Sequence, residues 1–413
     1  MPRPVTAPRP LPTSALIFSL LALLGLLFAP SAAPAGEARI VPPEVLDAIE
    51  DDDLDPLPRS ATAREQLIPL PLVDAPLRGS APLGPVDTPA EYEPNDGLLI
   101  RWGNFNDVLT AMAVGISTAD ESSTVWIFVA SASQQSSAAA TLAGAGADMD
   151  QIEFLIRDTD SVWMRDYGPR FVSDAGTRTI VDHEYNRPRP FDNAVPDYLA
   201  QTWSIPDFDI PLVHGGGNFH LFGDGTAFMT DLILAENPGL TEQQVIDYFR
   251  DYEGLDLTLW PALPASFDAT QHIDMWMLPV RDGVAIVNEY DPSTGTPHTV
   301  TETFTAELET RGYTVHRIRG RNASGTHYTY ANSVIFNDIV FIPEYDPYPV
   351  DNAAAVTVYE TAFPNHQIIP VDASFLVQFA GVLHCIVMHV PSDLSGIFFD
   401  GFESGNLSAW TVD

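Results

Sequence analysis

The sequence predicts an α/β domain built from five repeated units, and three observations support this prediction. A polar residue, an apolar strand, a turn and a second apolar strand recur about every 55 residues. Gly, Asp or Asn separates the two strands of each pair, and helical stretches lie between the pairs. The polar residues that lead the five units are Asp166, Asn218, Asp274, Asn332 and Cys385.

A ring of five units is the most economical closed arrangement, because no single unit can bury its own apolar face. The prediction is therefore a five-bladed α/β propeller with pseudo-fivefold symmetry. The leading polar residues would converge on the axis, with Cys385 at the point where the other four meet. Periodicity alone leaves an ordinary α/β sheet with chance spacing open as the alternative.

The elements inside the units follow from local signals. The sequences GDG at 223–225 and RDG at 281–283 predict hairpin turns between apolar strands. Thr241 is a predicted helix N-cap, since Gln244 follows three residues later. A second helical stretch is predicted in DPSTGTPHTVTETFTAELETRGY and ends at Gly312. Each unit therefore contains strands and one crossover helix.

Composition divides the chain into four regions. Residues 1–36 contain arginines, a short apolar run and then small residues, which is the layout of a secretory signal peptide, with an uncleaved anchor as the alternative. Residues 37–90, rich in Pro and Asp, predict a linker or propeptide. Residues 91–396 suffice for one large catalytic domain, and 397–413 form a short tail. The mature chain is predicted to be secreted or periplasmic, without a membrane span.

The charge of the chain limits its partners. The net charge is −37, from 56 acidic and 19 basic residues, and every basic residue is an arginine. Such a surface repels nucleic acid and anionic lipid and attracts cationic ligands. A solvated acidic surface that aids solubility is the simpler explanation for most of this excess.

Cys385 is the single cysteine among 413 residues, so it cannot form an intramolecular disulfide. It is therefore either an inert buried thiol or a nucleophile. If VLHCIVM is a regular strand, His384 and Cys385 point to opposite faces, and His384 is a poor base for its neighbour. His272, from another unit, is better placed as acid and base.

Two carboxylates near the predicted axis suit a planar cation. Asp166 follows Trp163 in DTDSVWMRDYGPRF, and QHIDMW places His272 and Asp274 on one face if it is a strand. A guanidinium donates up to five hydrogen bonds in bidentate pairs and would fit between the carboxylates. Asp166 could also be an ordinary turn residue. Zinc is disfavoured, because the chain has one cysteine and no second histidine at ligand spacing from His272.

The segment HGGGNFHLFGDG at 214–225 contains the HGGG that supplies oxyanion donors in esterases. The chain lacks the G-x-S-x-G elbow that an esterase also needs. These glycines are therefore predicted to let backbones approach closely near the axis.

Taken together, these residues resemble the guanidine-modifying deiminases of the pentein superfamily, most closely the bacterial peptidylarginine deiminases related to agmatine deiminase. The resemblance extends from about residue 91 to residue 391. It rests on motifs that follow in order: EYEPNDGLLIRW, WMRDYGP, YNRPRP, GGN, HIDMW, YANS and LHC. It implies the pentein fold, no cofactor, and hydrolysis of an arginine guanidinium to citrulline and ammonia.

The resemblance also implies the roles of the reacting residues. Cys385 would be the nucleophile and His272 the acid and base. Asp166 and Asp274 would hold the guanidinium, and Asn332 would lie near the thiol. Together they would form and hydrolyse a covalent thiouronium intermediate.

Three further residues concern the choice of substrate. Trp163 would line the substrate channel, and Arg187 and Arg189 of YNRPRP match the arginines that bind a peptide's α-carboxylate in the peptidyl branch. An arginine-containing peptide or protein with a C-terminal arginine is the expected substrate. Agmatine, which lacks a carboxylate, is the alternative if the two arginines are solvated loop residues.

A non-catalytic arginine-binding protein of the same fold is a third hypothesis. The chain lacks the C-terminal sandwich domain of the peptidyl branch.

Overall fold

The computed structural model describes residues 55–71, 81–119 and 122–392, all of which belong to one compact unit of the chain. The predicted signal peptide and the predicted tail lie outside the described residues. Across the described ranges, no helix has the length and apolar character that a bilayer crossing requires.

Six separate sheets contain the strands of the described residues. Five sheets hold three or four strands each, and the sixth is a two-stranded ribbon. The strands are β1 (Val86–Asp87), β2 (Asn95–Arg101), β3 (Thr124–Val129), β4 (Ile152–Ile156), β5 (Arg170–Asp174), β6 (Thr177–Tyr185), β7 (Asp207–His214), β8 (His220–Leu221), β9 (Thr226–Thr230), β10 (Asp256–Trp260), β11 (Met277–Arg281), β12 (Val284–Glu289), β13 (Thr314–Arg319), β14 (Arg321–Ala323), β15 (Thr326–Tyr328), β16 (Val334–Phe336), β17 (Ile339–Glu344), β18 (Gln367–Asp372) and β19 (Val387–Pro391).

Helices connect the parallel strands. They are α1 (Asn106–Ala119), α2 (Ala132–Ala145), α3 (Met164–Tyr167), α4 (Pro190–Asn193), α5 (Val195–Trp203), α6 (Leu232–Glu236), α7 (Glu242–Glu253), α8 (Thr296–Thr310) and α9 (Pro349–Ala362). Short 3-10 turns occur at Glu65–Leu67, Met149–Gln151, Ile273–Met275, Pro292–Thr294, Leu376–Phe379 and His384–Ile386.

The same unit recurs through the domain. β5 and β6 pair antiparallel, and β6 pairs in parallel with β7 after the intervening helices. The same order holds for β8 to β10, for β11 to β13 and for β16 to β18. The fifth unit joins the two ends of the domain, since β19 pairs with β2, which runs parallel to β3. Each unit thus contains an antiparallel strand pair and a helical crossover, because parallel neighbours need a long connection.

The α/β architecture agrees with the sequence prediction, but the sheets are not joined edge to edge into a closed barrel. The five-bladed ring therefore stays a prediction.

Contacts between units do occur at the leading polar residues. Asn218 Oδ1 accepts a hydrogen bond from the Ile273 N–H at 3.2 Å. Asn332 donates to the Asp274 carbonyl at 3.0 Å, and its Oδ1 accepts from the His384 N–H at 3.1 Å.

Local signals in the sequence predicted the ends of two helices correctly. At the start of α7, Thr241 Oγ1 accepts from the Gln244 N–H, and Gln244 Oε1 accepts from the Thr241 N–H, which completes a capping box. After α8, Gly312 adopts a φ of 93°, a conformation that favours glycine. The central strands β2, β12 and β17 are buried along most of their length, which explains their nearly continuous apolar sequences.

The condition under which the faces of His272, Asp274 and Cys385 were predicted, that each lies on a strand, is not met. Asp274 and Cys385 lie in the 3-10 turns that precede β11 and β19, and His272 caps the first of these turns. The reason is the hydrogen bonding of the turns: their first backbone N–H groups donate to Asn218 and Asn332 side chains instead of to a strand ladder. Strand pairing begins only after each turn.

Candidate active site

The predicted site residues lie on short helical turns that directly precede strands β5, β11 and β19. Asp166 belongs to α3, before β5, while Asp274 and Cys385 lie in the turns before β11 and β19. The exposed fraction is 1% for Asp166 and 0% for Asp274, His272 and Cys385. The sequence-predicted carboxylates, histidine and thiol thus meet in one fully buried site.

A guanidinium group lies between these side chains, and it belongs to Arg59. Its Nε and Nη2 donate to the two oxygens of Asp166, both at 2.8 Å. Nη2 and Nη1 donate to the two oxygens of Asp274 at 2.8 and 3.0 Å. Two bidentate pairs therefore surround one planar cation, as predicted for these carboxylates.

The thiol and the imidazole contact the same guanidinium. Cys385 Sγ lies 2.7 Å from Nη1 of Arg59, and His272 Nδ1 lies 2.9 Å from Nη2. The thiol also donates to Asn332 Oδ1 at 3.3 Å and accepts from the Val382 N–H at 3.3 Å. Asn332 therefore lies beside the thiol, as the resemblance implied.

Burial and charge determine the ionisation of these groups. Burial alone would raise the pKa of the Asp166 and Asp274 carboxyl groups, but Arg59 holds the pKa of both below the usual range. Burial raises the pKa of the Cys385 thiol well above its usual range, although Arg59 acts in the opposite direction. With Arg59 in place, the site therefore holds two carboxylates, one guanidinium and a protonated thiol.

His384 contacts Asp274, and this contact was not predicted from the sequence. Its Nδ1 lies 3.0 Å from Asp274 Oδ2, and its Nε2 lies 2.9 Å from Glu91 Oε2. Glu91 also accepts from Arg165 at 2.6 Å. Burial would raise the pKa of Glu91, but Arg165 and His384 hold it well below the usual range. The Glu91–His384 pair thus fixes the orientation of one guanidinium-binding carboxylate.

Glu91, His220 and His384 place ligand atoms within 4.8 Å of one another, a spacing that a metal ion could use. The oxygens of Glu91 already pair with Arg165 and His384, however. These contacts describe a hydrogen-bonded network beside the site, and the sequence analysis assigned no metal here.

One glycine of HGGG allows a close backbone approach, as predicted, because a Cβ on Gly216 would overlap the Arg165 carbonyl oxygen, and the other two leave room for side chains. A Cβ on Gly217 would overlap Nη2 of Arg59 and lie 2.7 Å from oxygens of both carboxylates. A Cβ on Gly215 would lie 2.7 Å from the His272 ring. The absence of these side chains creates the space that a guanidinium occupies.

The outer part of the site contains the remaining predicted residues. Trp163 is fully buried, and its Nε1 donates to the Leu57 carbonyl at 2.9 Å. Arg189 is also buried and binds both carboxylate oxygens of Glu65, at 2.7 and 3.0 Å. Arg187 is half-buried, with its Nε 3.4 Å from the Arg59 carbonyl. Both arginines therefore contact the segment that carries Arg59, Arg189 through a carboxylate and Arg187 through a backbone carbonyl.

The structure thus brings together every residue that the sequence analysis selected. Sequence reasoning missed Arg59 and Glu65, which lie in the region interpreted as a linker or propeptide. It also missed Glu91 and His384, although both belong to the motifs EYEP and LHC that carried the resemblance.

Comparison with known proteins agrees with this geometry. Residues 87–391 match the family model of Porphyromonas-type peptidyl-arginine deiminase. A Photobacterium profundum protein provisionally named an agmatine deiminase is 26% identical over 356 residues, covering 73% of this chain and 95% of that protein.

Solved structures share the fold. The agmatine deiminase of Enterococcus faecalis superposes with a TM-score of 0.65 at 20% identity, covering 76% of this chain and 98% of that one. A Porphyromonas gingivalis protein provisionally named an arginine deiminase gives 0.66 at 19% identity, covering 75% and 99%. At these identities the likeness establishes the fold.

Proposed function

Because the chain belongs to the Porphyromonas-type peptidyl-arginine deiminase family, we propose that it deiminates arginine in peptides that present a carboxylate near the guanidinium. The enzyme class follows from the family: the chain is a hydrolase that acts on C–N bonds of guanidino groups. The proposal concerns the substrate, which we take to be a peptide or protein with a C-terminal arginine.

One observation carries this choice of substrate. Arg189 is buried and binds the carboxylate of Glu65 while the guanidinium of Arg59 occupies the inner subsite. A buried arginine is suited to bidentate carboxylate recognition. An arginine peptide would bring both groups, whereas agmatine would bring only the guanidinium.

The contacts of the Arg59 guanidinium suggest the roles of the reacting groups. Asp166 and Asp274 would hold the substrate cation and localise its charge. Cys385 Sγ would attack the central guanidinium carbon, and His272 would protonate the nitrogen that leaves as ammonia. His272 would then activate water, which attacks the same carbon, breaks the C–S bond and leaves a ureido group. A cationic substrate would favour the thiolate that the attack requires.

Agmatine is the second candidate substrate. The names of curated relatives, such as the Photobacterium profundum protein, favour it, and so does the Enterococcus faecalis neighbour. The inner subsite would accept agmatine as well as arginine, because both carry the same guanidinium. The outer arginines therefore decide between the two candidates.

The proposal retains two expectations from the sequence. The five sheets are taken to be blades of a closed ring, which the likeness to the deiminase structures supports. The mature enzyme is taken to be secreted or periplasmic, a placement supported by the layout of residues 1–36.

A ureido-product assay on agmatine, a peptide ending in arginine and the same peptide amidated tests this proposal. The free-carboxylate peptide should be preferred, and Arg189→Ala should lower the ratio of its kcat/KM to that of agmatine by about 10- to 100-fold, the loss of one charge-assisted contact. Cys385→Ser should abolish turnover of all three. Preference for agmatine in the wild type would reject the peptide substrate. Turnover by Cys385→Ser would reject the covalent mechanism.

A further inference from the structure

We propose that residues 55–71 are an intramolecular inhibitor, in which Arg59 fills the guanidinium subsite and Glu65 fills the carboxylate subsite. External substrates would then bind only when this segment leaves. This inference rests on the proposed function, because it identifies the two subsites by the groups that a substrate would place there.

The contacts of Arg59 are those of a bound ligand. Its guanidinium has five N–H donors, and these face four carboxylate oxygens and the Cys385 sulfur at 2.7 to 3.0 Å. Arg59 is 0% exposed, which is rare for arginine unless it is paired. It reaches Cys385 across 326 residues of sequence, so the contact is a docking of one segment onto the domain.

The backbone around Arg59 is also bound to the domain. The Arg59 N–H donates to the Phe379 carbonyl at 2.8 Å. Trp163 donates to the Leu57 carbonyl at 2.9 Å, and Arg189 donates to the Pro58 carbonyl at 2.8 Å. Three consecutive residues of the segment thus each make a hydrogen bond to the domain, as expected for a peptide held in a binding groove.

Glu65 is positioned by its own segment before it meets the domain. The Thr62 N–H donates to Glu65 Oε2 at 2.9 Å, and the Glu65 N–H donates to Thr62 Oγ1 at 3.1 Å. This reciprocal pair is the arrangement of a capping box. It holds the carboxylate where both oxygens accept hydrogen bonds from Arg189.

Inhibition fits the contacts better than self-modification of Arg59. Deimination requires a thiolate and a water molecule that reaches the guanidinium carbon. With the segment in place, Cys385 and His272 have no exposed surface, so the water molecule that hydrolysis requires has no open approach to them. Arg59 therefore blocks the site without supplying the conditions for its own turnover.

A tethered inhibitor competes strongly with free substrate. A segment joined to its site by a short connection has an effective concentration of about 1 mM or more. Substrates well below that concentration would bind slowly or weakly until the segment opens or is cut. Removing the Arg59 guanidinium should therefore increase access to the site.

Alkylation of Cys385 by iodoacetamide measures that access directly, because the chain has no other cysteine. In the full-length chain, Arg59→Ala should react at least about tenfold faster than the wild type. Glu65→Gln, which keeps Arg59 but weakens the outer contact, should give a smaller increase. Gln66→Ala is the matched control, because Gln66 is exposed in the same segment, and should react like the wild type. Equal rates for the wild type and Arg59→Ala would overturn the inference.

A peptide added in trans sharpens the test and guards against a misfolded variant. A synthetic peptide of residues 55–71 should restore protection of Cys385 in Arg59→Ala, whereas the same peptide with glutamine in place of Arg59 should not. Protection by both peptides, or by neither, would contradict the assigned role of the guanidinium.

Turnover and mass spectrometry separate this inference from the proposed function. Arg59→Ala should show a higher kcat/KM than the wild type for whichever guanidino substrate is accepted. Arg59 should remain arginine in purified wild-type protein, and citrulline at this position would show a substrate in place of an inhibitor. If no variant deiminates anything, the proposed function fails, while the alkylation rates still decide whether the segment closes the site.

Discussion

Two sets of buried carboxyl groups in this molecule differ in what they face. Asp166 and Asp274 face the guanidinium of Arg59, and their pKa values lie below the usual range. Glu236 and Glu253 are also buried, but Glu236 is bound by the Asn186 amide, and Glu253 lies 3.9 Å from Arg170. Burial raises the pKa of both to about 7.

The difference shows that a buried carboxyl group stays charged only when a cation is closely paired with it. Each buried carboxyl group loses hydration, and a closely paired cation must compensate for that loss. If the guanidinium left and no water or substrate replaced it, Asp166 and Asp274 would resemble Glu236 and Glu253. The site is therefore complete only with a cation inside it, whether from the chain or from a substrate.

The largest effect is expected from removing one charge of the inner pair. Asp274→Asn should lower kcat/KM for a guanidino substrate by about 100- to 1,000-fold, because the cation loses one of its two charged partners. Asp107→Asn is the control, since Asp107 is exposed at the start of α1. A loss below tenfold for Asp274→Asn, with an unchanged melting temperature, would show that one carboxylate suffices.

Removing the cation should destabilise the fold in a pH-dependent way. A carboxyl group whose pKa is depressed by folding stabilises the protein above its unfolded pKa, about 3.9 for aspartate, and loses this effect as the pH falls through the folded value. Arg59→Ala should therefore lower the free energy of unfolding by about 3 kcal/mol at pH 7. Urea unfolding should show the largest difference at pH 7 and a clearly smaller difference at pH 3. A constant difference down to pH 3 would assign it to lost packing.

Glu253→Gln should have the smallest effect, with the opposite sign. Because the folded pKa of Glu253 is about 7 and the unfolded value is about 4.3, stability should fall as the pH rises between these values. The variant lacks this titration, so its free energy of unfolding should be higher than that of the wild type at pH 8 and equal to it at pH 4. Urea titrations at the two pH values measure the difference. A less stable variant at pH 8 would indicate that Arg170 holds Glu253 charged.

The sequence predicted the repeated units and the inner site because the signals are local. Hairpin turns, the Thr241 cap and the polar residue before each hairpin all lie within a few residues of the elements that they specify. The turns that carry Asp274 and Cys385 were interpreted as strands, since the hydrogen bonds that Asn218 and Asn332 make to them come from other units.

The occupant of the site could not be predicted in the same way. Arg59 and Glu65 lie in a Pro- and Asp-rich region without periodicity, and their partners are more than 100 residues away in sequence. No local pattern distinguishes an arginine that fills a distant pocket from one in a linker. The capping pair of Thr62 and Glu65 is the one local signal, and it predicts a turn without predicting what the turn contacts.

The burial of Cys385 beneath Arg59 also has a consequence for redox damage. Oxidation of a cysteine by peroxide requires an accessible thiolate and leads through sulfenic acid to irreversible acids. While the segment is docked, the thiol is protonated and has no exposed surface. We therefore expect Cys385 to stay reduced while the segment is docked. The thiol should become sensitive to peroxide when the segment undocks and the enzyme becomes active.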